Sequence, residues 1–407
     1  MRVLLINAFH YLRGGVERTY LDESRWLTAA GHEVAHLATR DPRNVAAGRW
    51  DRFAPAADFG EGAPLGRQLA QLPRALWSEP ARREAEALRV AFRPDIVHVH
   101  APSRYLTPSV LAPFGAHGVP LVMTLHDFKP WCTNRILFAH GAPCERCRGG
   151  AHWHAAAIAC VQDSRGKSVI GSLEAYSHAA RHAYAPVRRW IAPSRFVHDK
   201  AVSLGVPPGM LDTLLHGVAP QADDPAAAVP REPYVFFAGR LSLEKGVRLL
   251  PAIALRIAPV PLVVTGEGPL GAWLEAQAHG VPNLAWRGHL DDAQVAALRK
   301  RAAVVLVPSL FYEHFGYSAA EALLDARPVV ASRIGALPEL VADDDTGLLV
   351  PPDDAHAAAE AVQRLLADPA LAARLGAAGA ARVRELSDPA RHLAGLLAIY
   401  QQAIAAA

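Results

Sequence analysis

Strong charge of either sign is missing from this sequence. Its 407 residues carry 42 basic and 39 acidic side chains, a net charge of +3, which is too mild to predict nucleic-acid binding. Long apolar runs are missing too: none approaches the ~20 residues of a membrane span. The opening MRVLLINAF runs straight into a strand pattern, without the apolar region and small-residue cleavage site of a secretory leader. Cysteine is scarce, with four residues. Together these absences predict a cytoplasmic protein whose thiols stay reduced, rather than a disulfide-framed secreted domain.

What is present points to a large packed core. Apolar residues make up 51% of the chain and charged residues 20%, a balance that excludes disorder. The length predicts two or three domains. Short apolar runs alternate with helical patterns throughout. RVLLIN, HEVAHLA, DIVHVH, PLVMTLH, RRWIAPS and MLDTLLH read as strands of one series. PYVFFAG, PLVVTGE, NLAWRG, AAVVLVPS, RPVVAS and GLLVPP read as a second. Near-continuous apolar strands separated by helices predict an α/β fold with parallel sheets covered on both faces. Two series predict two doubly wound, Rossmann-like domains with a cleft between them. The expected boundaries are a first domain over residues 1–216, a linker over 217–233, a second domain over 234–385, and a C-terminal helix over 386–407 whose packing partner the pattern does not name. The linker GVAPQADDPAAAVPREP, Gly217 to Pro233, is rich in Pro, Ala and Asp and has no periodicity.

In open parallel sheets, ligands sit beyond the carboxyl ends of the strands. The unusual residues fall there. Gly14-Gly15 opens a helix after the first strand, and His126-Asp127 follows PLVMTLH. Arg240 and Lys245 lie in GRLSLEKG, Gly266 lies in GEGP, and Glu313 and Glu321 lie in EHFGYSAAEALL after AAVVLVPS. An arginine fork beside a mobile lysine suits a diphosphate. Paired glycines let backbone amides approach an anion at a helix start. Small residues at Ala319 and Ala320 leave amides open to a phosphate, and flanking carboxylates accept hydrogen bonds from vicinal hydroxyls. The competing reading is structural: Ser318-x-x-Glu321 also fits a helix capping box.

Glu-x-Phe-Gly-x-x-x-x-Glu after a strand, GRLSLEKG upstream and a Gly-Gly loop near the N-terminus resemble the retaining family-4 glycosyltransferases of GT-B fold. RPVVASRIGALPELVADDDTGLLVPPDD continues the resemblance. It implies a donor nucleotide-diphosphate sugar of UDP or GDP type, and a glycan, lipid-linked or small-molecule acceptor, as in polysaccharide biosynthesis. It implies that Arg240 and Lys245 clamp the diphosphate, that Glu313 holds the donor sugar, and that Glu321 holds the ribose. Phe315, Gly316, Tyr317 and Ser318 would offer backbone groups to sugar and phosphate. Gly14 and Gly15 would close over the phosphates, and His126 would line the sugar. Backbone around Gly288 and His289 would face the base. No metal is implied for the donor. Two other functions fit the same fold: a sugar-nucleotide epimerase or hydrolase, and a non-catalytic nucleotide-sugar-binding protein.

The four cysteines stand together as Cys132, Cys144, Cys147 and Cys160, a C-x11-C-x2-C-x12-C spacing. Either they wrap a structural zinc ion or they are separate thiols. RHAYAPVRRW, Arg181 to Trp190, and Gly66 to Arg89 mix arginine with tryptophan. Such stretches either dock at the inner face of a membrane or form ordinary solvated helix faces.

Overall fold

A computed structural model describes residues 1–55, 65–219 and 232–406. Most of the expected linker, residues 220–231, lies outside the described residues, as do the side chains of residues 65–70 in the first arginine–tryptophan stretch. Two compact units emerge. One comprises Met1–Leu137, Glu145–His216 and Ala390–Ala407, and the other Phe138–Cys144 and Gly217–Pro389.

The first unit is built on seven parallel strands: β1 (Arg2–Ile6), β2 (Glu33–Thr39), β3 (Arg52–Ala54), β4 (Ile96–Val99), β5 (Leu121–Thr124), β8 (Val187–Ala192) and β9 (Leu211–Thr213). Their spatial order is β3-β2-β1-β4-β5-β8-β9. β6 (Phe138–Ala139) and β7 (Ala142–Pro143) form a short antiparallel hairpin inside the cysteine segment. The second unit carries six parallel strands, β10 (Glu232–Ala238), β11 (Leu262–Thr265), β12 (Leu284–Trp286), β13 (Ala302–Val307), β14 (Val329–Ser332) and β15 (Leu348–Val350). Their order is β12-β11-β10-β13-β14-β15. All twelve apolar runs read from the sequence are strands. β3 and the β6–β7 hairpin were not expected, because two- and three-residue strands carry no readable run.

Each sheet reverses its strand order once, between β1 and β4 in the first and between β10 and β13 in the second. These reversals are topological switch points, where neighbouring loops diverge and leave a crevice at the strand ends. Central strands are fully covered: Val3, Leu4, Leu5 and Ile6 in β1, and Val235 and Phe236 in β10, have no exposed surface.

The C-terminal helix, Pro389–Ala405, finds its partner in the first unit. Leu396, Ile399, Tyr400 and Ala403 pack with Val3, Leu5, Tyr20, Ile96 and Val122. The two stretches that mix arginine with tryptophan are partly internal. Trp190 is buried, Arg189 pairs with Asp212 at 2.5 Å, and Arg181 lies over the Trp77 ring at 5.5 Å. Among the described residues no helix is long and apolar enough to cross a membrane.

Candidate active site

In the second unit, four segments from separate strand ends are laced together. The loop after β10 donates Gly239 N to Thr265 O at 3.2 Å and Leu241 N to Glu267 O at 2.9 Å. Gly266 N and Thr265 Oγ1 both donate to Gly288 O, at 2.9 and 3.0 Å. The loop after β13 donates Leu310 N to Glu244 O at 2.8 Å. The sequence segments carrying Lys245, Gly266, Gly288 and Glu313 are therefore brought together at one sheet edge.

Lys245 and Glu313 form the centre of that edge. Lys245 Nζ donates to Glu313 Oε1 at 2.7 Å, and Ser309 Oγ donates to the same oxygen at 2.6 Å. The lysine also stands 4.8 Å over the Phe311 ring. Glu313 is buried, so its charge rests on these two donors. A buried carboxylate held by a cation is costly to assemble and strongly localised once made. Gly335 makes it possible: its φ is +60°, and a Cβ there would lie 2.4 Å from Glu313 N and 2.6 Å from Glu313 O. Ala336 N completes the contact, donating to Glu313 O at 2.9 Å. Arg240, on the same loop as Lys245, is exposed, as is His289.

The turn at Phe315-Gly316 starts the helix Tyr317–Leu324. Its N-cap is Gly316, left-handed at φ +96°, without a side-chain cap. Ala319 N and Ala320 N both donate to Gly316 O at 3.0 Å. The capping-box alternative therefore does not form. Ser318 Oγ donates instead to Ala238 O at 3.3 Å, tying the helix start to the end of β10. Glu321 is held by Arg299, whose Nη1 donates to it at 2.8 Å while Nε donates to Asp325 at 2.7 Å. Phe315 and Tyr317 pack edge to face, with ring centroids 5.0 Å apart.

In the first unit, Gly14 is the N-cap of the helix Gly15–Ala29, with extended backbone. His126, half-buried after β5, lies between His100 and His216, with ring centroids 5.2 Å away on each side. Burial holds its imidazole down at about 3, against the opposing charge of Glu23. His126 lines a small pocket together with Ser103, Asp127, Lys129, Glu174 and Tyr184. Lys129 Nζ pairs with Glu174 at 3.1 Å. Burial raises the Asp127 carboxyl. Sequence reasoning did not single out Lys129, Glu174 or the buried Glu23, His98 and His100, because each lies in a different element and the grouping exists only in the fold.

The cysteine segment brings Cys147 and Cys160 within electrostatic reach of Cys132. Burial, reinforced by Cys147 and Cys160 although opposed by backbone hydrogen bonds, pushes the Cys132 thiol up to about 12. Cys132 Sγ donates to Asn134 Oδ1 at 2.9 Å. Among the described residues, the His, Cys, Asp and Glu groups with three ligand atoms within 4.8 Å of one another are His10/His36/Asp51 and Glu23/His98/His100. The donor chemistry of the cysteines suits zinc, but their sulfur atoms are not gathered into such a set.

The sequence matches the family described as Glycosyltransferase Family 4 over residues 13–222, and that described as Glycosyl transferases group 1 over residues 232–368. A glycogen synthase of Mycobacterium tuberculosis is 29% identical over 426 residues, covering 95% of this chain and 91% of its own. A phosphatidyl-myo-inositol mannosyltransferase of Mycolicibacterium smegmatis is 27% identical over 390 residues, covering 94% and 89%. Among solved structures, sucrose-phosphate synthase from Thermosynechococcus elongatus aligns with a TM-score of 0.72 at 23% identity, over 100% of both chains. HepE of Anabaena, in complex with UDP and glucose, aligns with a TM-score of 0.67 at 16% identity, over 99% of this chain and 100% of its own. Both share the fold of two parallel-sheet α/β domains known as GT-B.

Proposed function

The chain belongs to glycosyltransferase family 4, and on that premise we propose that it moves a sugar from a nucleoside-diphosphate donor to a hydroxyl-bearing acceptor with retention at the anomeric carbon. The observation that carries this reading is the Lys245–Glu313 pair, 2.7 Å apart at the switch point between β10 and β13. It sets a cation and a hydroxyl-accepting carboxylate side by side where a doubly wound sheet takes its ligand. The complex of Anabaena HepE with UDP and glucose supports a nucleotide-linked donor. The relatives named as a glycogen synthase and a mannosyltransferase support glycan and lipid-linked acceptors equally.

In this reading the bond between the anomeric carbon and the outer phosphate oxygen breaks as the bond to the acceptor oxygen forms on the same face. The acceptor's proton passes to the leaving phosphate, so no enzyme carboxylate acts as nucleophile. Arg240 and Lys245 stabilise the charge growing on that phosphate, an interaction stronger in the transition state than in the bound donor. Glu313 orients the sugar hydroxyls, Glu321 takes the ribose, and the amides around Gly14, Gly15 and Gly316 face the phosphates. Arg240→Ala is expected to lower single-turnover rate about a hundred- to a thousandfold, with a smaller loss of donor affinity. Parent-like turnover in that variant would falsify the clamp. Donor consumed at full rate without acceptor would favour an epimerase or hydrolase.

A structural zinc on the thiols of the Cys132–Cys160 segment belongs to the same proposal. Each thiol loses its proton on binding, and the metal's binding energy becomes local folding energy. Elemental analysis of protein purified without added metal is expected to find one zinc per chain. Metal-free protein with an unchanged melting temperature would remove the zinc.

A further inference from the structure

Glu23 is a carboxylate sealed in the first unit, 1% exposed, with His98, His100 and His392 around it. The hydrogen bonds around it determine where the protons are. His392 Nδ1 lies 2.7 Å from the carbonyl oxygen of Leu215, which only accepts, so Nδ1 carries a proton. His392 Nε2 lies 3.0 Å from Glu23 Oε1. A hydrogen bond to a carboxylate needs a proton there as well, so His392 is an imidazolium paired with an ionised Glu23. Burial is the largest single influence and opposes that charge, but the hydrogen bond and charge of Glu23, the Leu215 carbonyl and Asp22 together outweigh it and raise the His392 value.

The second oxygen, Glu23 Oε2, faces His98 Nδ1 at 3.2 Å and His100 Nε2 at 3.5 Å, yet Glu23 Oε2 and His100 Nε2 are both buried without a hydrogen-bond partner. With a bare Nε2, two lone pairs would confront each other in a dry interior, a costly arrangement. With a protonated Nε2, an N–H meets a carboxylate. Burial first, and His98 next, hold His100 well below the usual imidazole range, so it carries only that one proton. Its Nδ1 is therefore bare. His126 Nε2 lies 3.0 Å from that Nδ1 and must be the donor. His98 stands nearer to Glu23 Oε2, at 3.2 Å, but its nitrogens make their hydrogen bonds elsewhere, Nε2 with Thr124 Oγ1 at 2.7 Å and Nδ1 with the Tyr400 hydroxyl at 2.8 Å, and Glu23 Oε2 stays unpartnered.

We propose that Glu23, acting through His100, is a positioning residue that fixes His126 with its proton on Nε2 and its Nδ1 bare, a hydrogen-bond acceptor for a substrate hydroxyl. The tautomer follows from these buried contacts, with burial keeping His100 and His126 neutral. Its use toward a sugar rests on the function proposed above, and the two fail separately.

The test is a long-range proton–nitrogen correlation spectrum of the full chain labelled with ¹⁵N-histidine, with His126 assigned by its loss in His126→Gln. The parent is expected to show His126 protonated on Nε2 and unprotonated on Nδ1 across about pH 6 to 8, the range in which an ordinary imidazole titrates. In Glu23→Leu, and independently in His100→Phe, which leaves Glu23 in place, His126 is expected to become a mixture of tautomers. Turnover is expected to fall about ten- to a hundredfold, the scale of losing an orienting partner, with donor KM little changed. A parent His126 protonated on Nδ1 overturns the proposal. So does an unchanged tautomer in both variants at parental melting temperature. So does a metal ion bound tightly to the parent and lost in Glu23→Leu, since a metal would need His100 Nε2 bare. A tautomer that shifts while turnover stays constant upholds the relay and overturns the catalytic reading of His126.

Discussion

Glu321 has a structural contact beside the ribose contact proposed for it, and substitutions can separate the two. Its carboxylate is one of two anions on the buried Arg299 guanidinium, Asp325 being the other. Glu321→Ala strips a hydrogen bond from a buried cation, at a cost of about 1–3 kcal/mol, whatever the residue does for a ligand. Glu321→Gln keeps an acceptor of the same shape. It is expected to melt near the parent and to bind the donor about tenfold more weakly, as loss of one charge-assisted hydrogen bond implies. Calorimetric titration with nucleoside diphosphate, beside a melting curve, decides the matter: parental affinity in the glutamine variant would leave Glu321 a purely structural residue. At this scale the sequence was informative where chemistry and strand ends coincide, as at Lys245 and Glu313. It was silent on their pairing, because they are 68 positions apart in the chain. It was silent on Glu23 too, an acid on a helix whose meaning comes only from histidines on other elements.

At the scale of elements, the helix Tyr317–Leu324 and the turn at Gly335 hold the carboxylate in place. Gly335→Ala combines left-handed strain with a Cβ driven into the Glu313 backbone. Gly31→Ala is a control: its φ is +82° but nothing lies within 4 Å of the added atom. The control is expected to lose about 1 kcal/mol. Gly335→Ala is expected to lose roughly 1–3 kcal/mol and to lose turnover as well, because Glu313 must shift. Urea melts and single-turnover rates of the pair test this, and equal behaviour of the two variants would show that Gly335 only shapes a turn. The strands were legible for a physical reason. A parallel strand covered on both faces must be apolar at nearly every position, and VVLV in β13 or VLLI in β1 cannot be read otherwise. β3, RFA, offers no such run. Ser318 and Glu321 have the spacing of a capping box without forming one, because a left-handed Gly316 is the N-cap, two residues before Ser318.

At the scale of the whole molecule, the sequence outlined the two units but left the C-terminal helix unassigned. An apolar stripe says that a helix packs, not where. It packs on the first unit, covering Val3, Tyr20 and Ile96. Leu396, Ile399 and Tyr400 contribute on the order of 5 kcal/mol between them by burial, comparable with the whole stability of a domain. Removal of residues 390–406 is therefore expected to open the first unit selectively. Hydrogen exchange should show β1 and β4 losing protection while β10 and β13 keep theirs. Equal loss in both units would mean that the helix stabilises the molecule generally.

That helix also orders events during synthesis. Most of the first unit is made before the second unit and its last helix after it, so its sheet waits for the segment after Pro389. At roughly 5–20 residues per second of translation, the apolar face of β1 and β4 stays uncovered for tens of seconds. The second unit is meanwhile made entire and free to fold. That apolar surface is covered once the helix Pro389–Ala405 has been made.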